Sequence, residues 1–449
     1  MGAVAAALTD RGYRVSGSDQ NVYPPMSDFL ESRGIELTSP YSADNLPEEA
    51  DIIVVGNAIS RGNPELEEVL NRKLLYRSLP EVVREFFLRG SHNLVVTGTH
   101  GKTTTSSLVA WIFECAGRAP NFMIGGIPKN FNCGARMGDS STFVIEGDEY
   151  DTAFFDKRSK FLHYLPELAI VNNIEFDHAD IFADLDAIKL SFRRFLNLIP
   201  QNGVALLNAD DANTVEVGRT CPGPIVEIGF SENAAQRIEH YRIEGTVSHF
   251  HFLGHDFILP MVGDFNVRNA AMAISAARFY GIEFAAIQDA LSRFEGIKRR
   301  QEVRGVADAV TVIDDFGHHP TAIQQTLVAL RHQYPGARLV AIFEPRSNTT
   351  RRAVFQNELP KALGLADAAV VAQVASLDQI DPSERLNPEK VMEELRNHGT
   401  EAYYEADTAS IVARGLSILK PNDVAVVFSN GGFDGIHEKL LTALRAREA

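Results

Sequence analysis

The sequence predicts an α/β protein of three domains, and three observations predict it. The chain has 449 residues, more than one hydrophobic core usually serves. Short apolar runs with strand character recur between helix-patterned stretches along its whole length, the rhythm of sheets covered by helices. One such run, Val95-Val96, leads into Gly98-Thr-His-Gly-Lys-Thr103. A strand, a glycine turn and a helix start in that order make a phosphate-binding loop.

Composition narrows the function classes. Hydrophobic residues make up 45% and charged residues 23%, as in soluble globular proteins, and no apolar run approaches a membrane span. Asp plus Glu number 59 against 43 Lys plus Arg, a net charge of −16. That balance argues against a nucleic-acid surface, and a bound nucleotide needs local cations or Mg²⁺. Cys115, Cys133 and Cys221 are far apart without a C-x-x-C pair, which argues against structural zinc and disulfides and points to a reducing cytoplasm.

The first domain is expected over residues 1–88. Residues 4–11 are helical in pattern, residues 13–17 form a strand ending at Ser18-Asp19, residues 29–33 a helix, and residues 52–55 a buried strand running into Gly56-Asn57. This is half of a dinucleotide-fold-like unit, which normally opens with a strand and a Gly-rich turn. Met1-Gly2 stands where that turn finishes. The expectation is a missing first strand, through a late start or natural variation; the alternative is a domain that begins with its helix. The apolar residues 1–8 have no basic leader and read as a helix rather than a signal peptide.

Residues 89–300 form the second domain. After the phosphate loop and a helix through Ala110, strands are expected at 142–146, 168–173 and 204–208, a strand–turn–strand at 249–259 and a helix at 266–280. The third domain, residues 301–449, has strands at 310–313, 339–343, 368–371 and 424–428 with helices between.

Chemistry-bearing residues collect after these strands, where open parallel sheets gather ligands. In the loop Gly98, Thr99, His100, Gly101, Lys102, Thr103 and Thr104, the glycines permit the turn, backbone N–H groups face an anion, Lys102 adds charge and the Thr103 hydroxyl suits Mg²⁺. Glu146 ends a buried strand and opens the cluster Glu146-Gly-Asp148-Glu149-Tyr-Asp151, placed for Mg²⁺ or, alternatively, a solvated acidic loop. In Glu175-Phe-Asp177-His178-Ala-Asp180, His178 suits a second cation or the reacting phosphate. His249, His251 and His255 read as surface or packing residues. Asn266 and Asn269 suit an adenine edge or helix capping. Lys298-Arg299-Arg300 is a cationic hinge within reach of phosphates, or an exposed linker. Asp314, Asp315, His318 and His319 suit ribose and phosphate contacts. Arg346 and its neighbours after the next strand offer carboxylate recognition.

Together these segments resemble the Mur ligase family. Residues 97–105, Glu146, residues 173–178, 263–269 and 314–320 stand in that family's order and spacing, over nearly the whole chain. The resemblance implies a three-domain architecture: residues 1–88 bind a UDP-sugar, 89–300 form a P-loop-type central ATPase domain, and 301–449 form a Rossmann-like C-terminal domain binding the acceptor. The Asp314-Asp-Phe-Gly-His-His-Pro320 form resembles the branch acting on UDP-N-acetylmuramate. One member adds L-alanine; the other adds the tripeptide L-alanyl-γ-D-glutamyl-meso-diaminopimelate during peptidoglycan recycling. Residues 17–26, 56–64, 150–161, 344–349 and 429–433 look like the second.

The resemblance implies ATP and Mg²⁺ as cofactors, Lys102, Glu146 and His178 as catalytic residues, and Thr103, Glu146 and His178 as metal ligands. It implies that Asn266 and Asn269 hold adenine, and that Arg299, Asp315 and His318 contact nucleotide. Asp19 and Asn57 are expected on the UDP-sugar, and Arg346, Asn348 and Ser429 on the tripeptide. Small-molecule substrates, and neither nucleic acid nor membrane, are the expected partners. Lys189 is the nearest counterpart of a lysine carbamylated in some relatives, but its spacing does not fit. A nucleotide-binding regulatory protein without ligase activity is the reading from another class.

Overall fold

Strands that are apolar at every position need cover on both faces. His92–Thr97, Thr142–Glu146 and Leu168–Val171 are such runs, and in the computed structural model they lie side by side in a ten-stranded sheet. The structure describes residues 1–24, 26–374 and 380–448; Pro25, part of the family-like run 17–26, lies outside them. Across the sheet the strands are His255–Leu259, Val247–Phe252, Gln236–Glu244, Ile225–Gly229, Val204–Asn208, Leu168–Val171, His92–Thr97, Thr142–Glu146, Asn121–Met123 and Ala135–Arg136. The strands from Gln236–Glu244 through Asn121–Met123 run parallel.

Alternate residues feed two cores. Val96, Val144 and Ile170 pack with the helices Lys102–Cys115 and Asp264–Phe279 on one face. Val95, Ile145 and Val171 pack on the other, with Phe192 and Phe195. Each such side chain contributes about 1.5–3 kcal/mol over an exposed one, so burial fixes where the strands end and the loops begin. His92–Thr97 sits where strand order reverses, between Thr142–Glu146 and Leu168–Val171. The loops leaving these three carboxyl ends therefore face one crevice.

The third section repeats the logic. Its sheet runs Glu302–Ala307, Val310–Asp315, Val424–Phe428, Leu339–Phe343, Ala368–Ala372 and Glu401–Glu405, parallel except for the first strand. Asp315, Phe428 and Phe343 stand level across its middle strands, so the loops bearing His318, Ser429 and Arg346 leave from one edge.

The first 88 residues differ most from expectation. Their strands do not join into one sheet: Ser16–Ser18 pairs with Glu36–Thr38, and Ile53–Val55 with Tyr76–Ser78, each pair parallel. The helix expected at 29–33 runs Met26–Glu31. Val4, Ala7, Val83 and Leu88 share a core with Val95 and Ile145, so this section is stabilised largely by the sheet beside it. The strand expected at 168–173 stops at Val171, because Asn172 and Asn173 turn their side chains to the phosphate loop. No described helix is long and apolar enough to cross a membrane.

Candidate active site

The phosphate loop is shaped by two glycines. Gly98 has φ 126° and Gly101 φ 80°, where L side chains are strained. A Cβ on Gly98 would stand 3.0 Å from the Asn173 backbone nitrogen, and one on Gly101 2.6 Å from Asn269 Oδ1. Asn173 steadies the turn by accepting the His100 N–H on Oδ1 at 2.7 Å. The helix Lys102–Cys115 then begins, and its first N–H with a helical partner is that of Thr105, bonded to Gly101 O. Its opening N–H groups and dipole face the crevice.

Glu149 joins the main candidates. One carboxylate oxygen accepts from Lys102 Nζ at 2.8 Å and the other lies 3.2 Å from His178 Nε2. The Glu149 side chain is only 3% exposed. Lys102 also donates to Gly98 O at 2.7 Å. Glu146 accepts from Gly125 N at 2.9 Å and from the Thr103 hydroxyl. Lys102, Thr103, Glu146 and His178 thus meet around one acidic crevice. Burial pushes the Glu146 carboxyl up. Burial opposes charge on Lys102, but Glu149 and Asp148 outweigh it and raise its pKa. His178 is likewise raised, with burial overcome by Glu149 and then Asp177. Asp148, Glu149 and His178 also place three ligand atoms within 4.8 Å of one another.

A second group joins the two sheets. Residues 175–180, after the strand Leu168–Val171, are clasped from the third section. Thr321 Oγ1 donates to Glu175 at 2.6 Å, and the Thr349 hydroxyl to the buried Asp177 at 2.7 Å. Asn348 Nδ2 donates to Asp180 at 2.8 Å. Tyr150 donates to the same Asp180 oxygen at 2.6 Å, and its ring meets the His178 ring edge-on at 4.8 Å. His318 lies 3.8 Å from Asp177. Burial opposes ionisation of Asp177, but His178, His318 and His319 hold its pKa well below the usual carboxylate range.

The remaining candidates divide. Asn269 borders Gly101, and its buried Nδ2 has no hydrogen-bond partner. Asn266 instead donates to Val262 O at 2.8 Å, holding the helix start. Arg299 is anchored to the third section. Its guanidinium donates to the carbonyls of Ser429 at 2.6 Å and Gly431 at 2.7 Å and lies 3.4 Å from Asp314. The neighbouring Arg300 is the hinge cation whose charge acts on Glu146 and Asp315. Asp315 accepts from Gln301 N and Gly317 N, closing its own loop. Ser429 is fully buried and its hydroxyl is bonded to Glu344. Arg346 packs against Gly431 and is half exposed. Asp19 and Asn57 are exposed at the ends of the strands Ser16–Ser18 and Ile53–Val55. Lys189 pairs with Glu216 at 2.7 Å. Glu149, Tyr150, Arg300 and Thr349 went unassigned from sequence, although all four lie inside runs already marked.

Comparison with known proteins adds independent findings. Residues 1–90 match the model of the Mur ligase family, catalytic domain; residues 96–277 that of the Mur ligase middle domain; and residues 299–431 that of the Mur ligase, glutamate ligase domain. The chain is 42% identical to a UDP-N-acetylmuramate--L-alanyl-gamma-D-glutamyl-meso-2,6-diaminoheptandioate ligase of Escherichia coli, covering 99% of this chain and 96% of the relative. It is also 42% identical to the protein of that name from Haemophilus influenzae, over 100% of this chain and 97% of the relative. Among solved structures, a murein peptide ligase from Psychrobacter arcticus is 35% identical with a TM-score of 0.73, covering 99% of this chain and 96% of that one.

Proposed function

The chain belongs to the Mur ligase family, and from that premise we propose that it joins UDP-N-acetylmuramate to L-alanyl-γ-D-glutamyl-meso-diaminopimelate at the expense of ATP. The observation that carries the reading is the meeting of Lys102 and His178 on Glu149, with Glu146 in the field of Lys102, at the carboxyl ends of the central strands. The full-length likeness to ligases of that name supports the choice of acceptor. In this reading residues 1–88 take the UDP-sugar at Asp19 and Asn57, residues 89–300 take ATP, and residues 301–449 take the tripeptide near Arg346, Asn348 and Ser429. ATP and a UDP-sugar as substrates support a cytoplasmic location.

Chemistry follows from charge. A carboxylate oxygen of the sugar's lactyl group attacks the γ-phosphorus, the bond to the β–γ bridging oxygen breaks, and ADP leaves. The acceptor's free amine then attacks the acyl carbon; phosphate departs with the bonding pair, and the amine loses a proton. Both partners in the first step are anions, so neutralisation is the main requirement. Lys102 is poised for it: exchanging Gly98 O for a phosphate oxygen keeps its ammonium inside the loop. His178, held 3.2 Å from Glu149, stands beside the position the transferred group would take. Arg300 balances the far side at Glu146 and Asp315. Asn269 has a donor to spare beside the loop for the base. The clasp over residues 175–180 brings the acceptor section down and excludes water from the acyl phosphate. The oxygen-rich donors Thr103 and Glu146, with Glu149 and His178 opposite, fit Mg²⁺; bound there, Mg²⁺ would offset phosphate charge.

The deciding experiment measures phosphate release with UDP-N-acetylmuramate, ATP and Mg²⁺, offering tripeptide or L-alanine. Tripeptide-dependent release is expected. Release with L-alanine alone would make the chain an L-alanine ligase, and no acceptor-dependent release would favour a non-catalytic nucleotide binder.

A further inference from the structure

We propose that His100, Glu175 and His319 form a binding site for a zinc-type divalent cation, separate from the Mg²⁺ crevice and built across two lobes. The three donor atoms lie within 4.8 Å of one another. His100 Nε2 and His319 Nδ1 each stand 3.4 Å from the same oxygen of Glu175. That is long for a hydrogen bond. It matches the edge of a tetrahedron around a metal with bonds of about 2.0–2.1 Å, an edge of about 3.3–3.4 Å. His100 Nε2 is buried and has no hydrogen-bond partner, which is costly for a polar atom and is relieved by a ligand. The two imidazole rings tilt toward each other with centroids 4.5 Å apart.

The surroundings support the site. His319 Nε2 lies 3.3 Å from Phe176 O, the kind of carbonyl contact that fixes the tautomer and orientation of a ligating imidazole. Thr321 Oγ1 holds Glu175 at 2.6 Å. The Thr321 N–H also points at His319 Nδ1, 3.2 Å away, and occupancy would exchange this helix cap for the metal bond. Two imidazoles and one carboxylate suit zinc better than Mg²⁺, which prefers oxygen. His100 belongs to the phosphate loop, Glu175 to the segment after a central strand, and His319 to the third section. A cation here ties the loop to the clasp and holds the two lobes together.

The test is isothermal titration of the full chain, stripped of metal, with zinc chloride in excess Mg²⁺ and without nucleotide. One zinc per chain is expected, accompanied by a rise in melting temperature. His319→Ala, and independently Glu175→Gln, should weaken that binding by at least about tenfold and remove the rise. His251→Ala, on a hairpin where the His240 and His251 rings lie 5.9 Å apart, should leave it unchanged. Glu175→Gln replaces a single oxygen and reads the site should His319→Ala fail to fold. Equal zinc affinity in wild type and Glu175→Gln, absence of tight binding, or loss of binding in His251→Ala instead would overturn the proposal.

Discussion

Glu149 shows how much one residue arranges. It holds Lys102 on one oxygen and His178 on the other, so two side chains are kept apart by a single buried carboxyl group. Lys102→Ala should lower turnover by about 10²–10³-fold while cooperative unfolding persists, checked by phosphate release and thermal melting. Glu149→Gln acts differently. His178 loses the partner that raises its pKa, and its imidazole should titrate lower, visible in the pH dependence of its proton resonances. A raised histidine stabilises the fold below its unfolded pKa of about 6.5, and that contribution disappears as pH rises through the folded value. Wild type should therefore lose this increment on the alkaline side, and Glu149→Gln should lack it. An unchanged His178 titration in the variant would refute the bridging role.

Among elements, the phosphate loop tolerates least. Gly101→Ala meets both a positive φ and the Asn269 amide. It should cost about 1–3 kcal/mol and weaken ATP binding, measured by calorimetric titration. In the clasp, Thr349→Val leaves Asp177 one donor short and should destabilise the protein by about 1–3 kcal/mol, read by denaturant unfolding. These elements differ in how far the sequence disclosed them. The loop was legible because glycine, lysine and threonine are local requirements of a turn feeding a helix. The strand Thr142–Glu146 was legible because an apolar run leaves few other choices. The split of the first section into two small sheets was hidden, since pairing depends on partners distant in sequence. Arg299 and Arg300 illustrate the same limit. Adjacent arginines look alike in sequence, and only backbone direction decides that the first donates to Ser429 O while the second lies in the field of Asp315 and Glu146. The role of Thr349, inside the marked run 344–349, was hidden, because its partner Asp177 lies 172 positions away.

On the scale of the whole molecule, acid should loosen the join between the two large sheets. Burial depresses His318 and His319, and neighbouring histidines hold Asp177 low. For the two histidines the unfolded chain binds more protons than the native one as pH falls from about 6.5. Their stabilisation is full above that range and is lost toward the folded value of about 4 at His319. The contribution of Asp177 follows, lost as pH falls below about 3.9. Metal-free protein should lose stability on the order of 2 kcal/mol between pH 6.5 and 4.5, followed by calorimetry in buffers of constant ionic strength. A flat profile would contradict the burial of these groups. The strap of hydrogen bonds over residues 175–180 also bears on speed. Opening this strap for product release would part Thr321, Thr349 and Asn348 from their carboxylates, so thickening the medium with sucrose should slow steady-state throughput more than the first burst of chemistry.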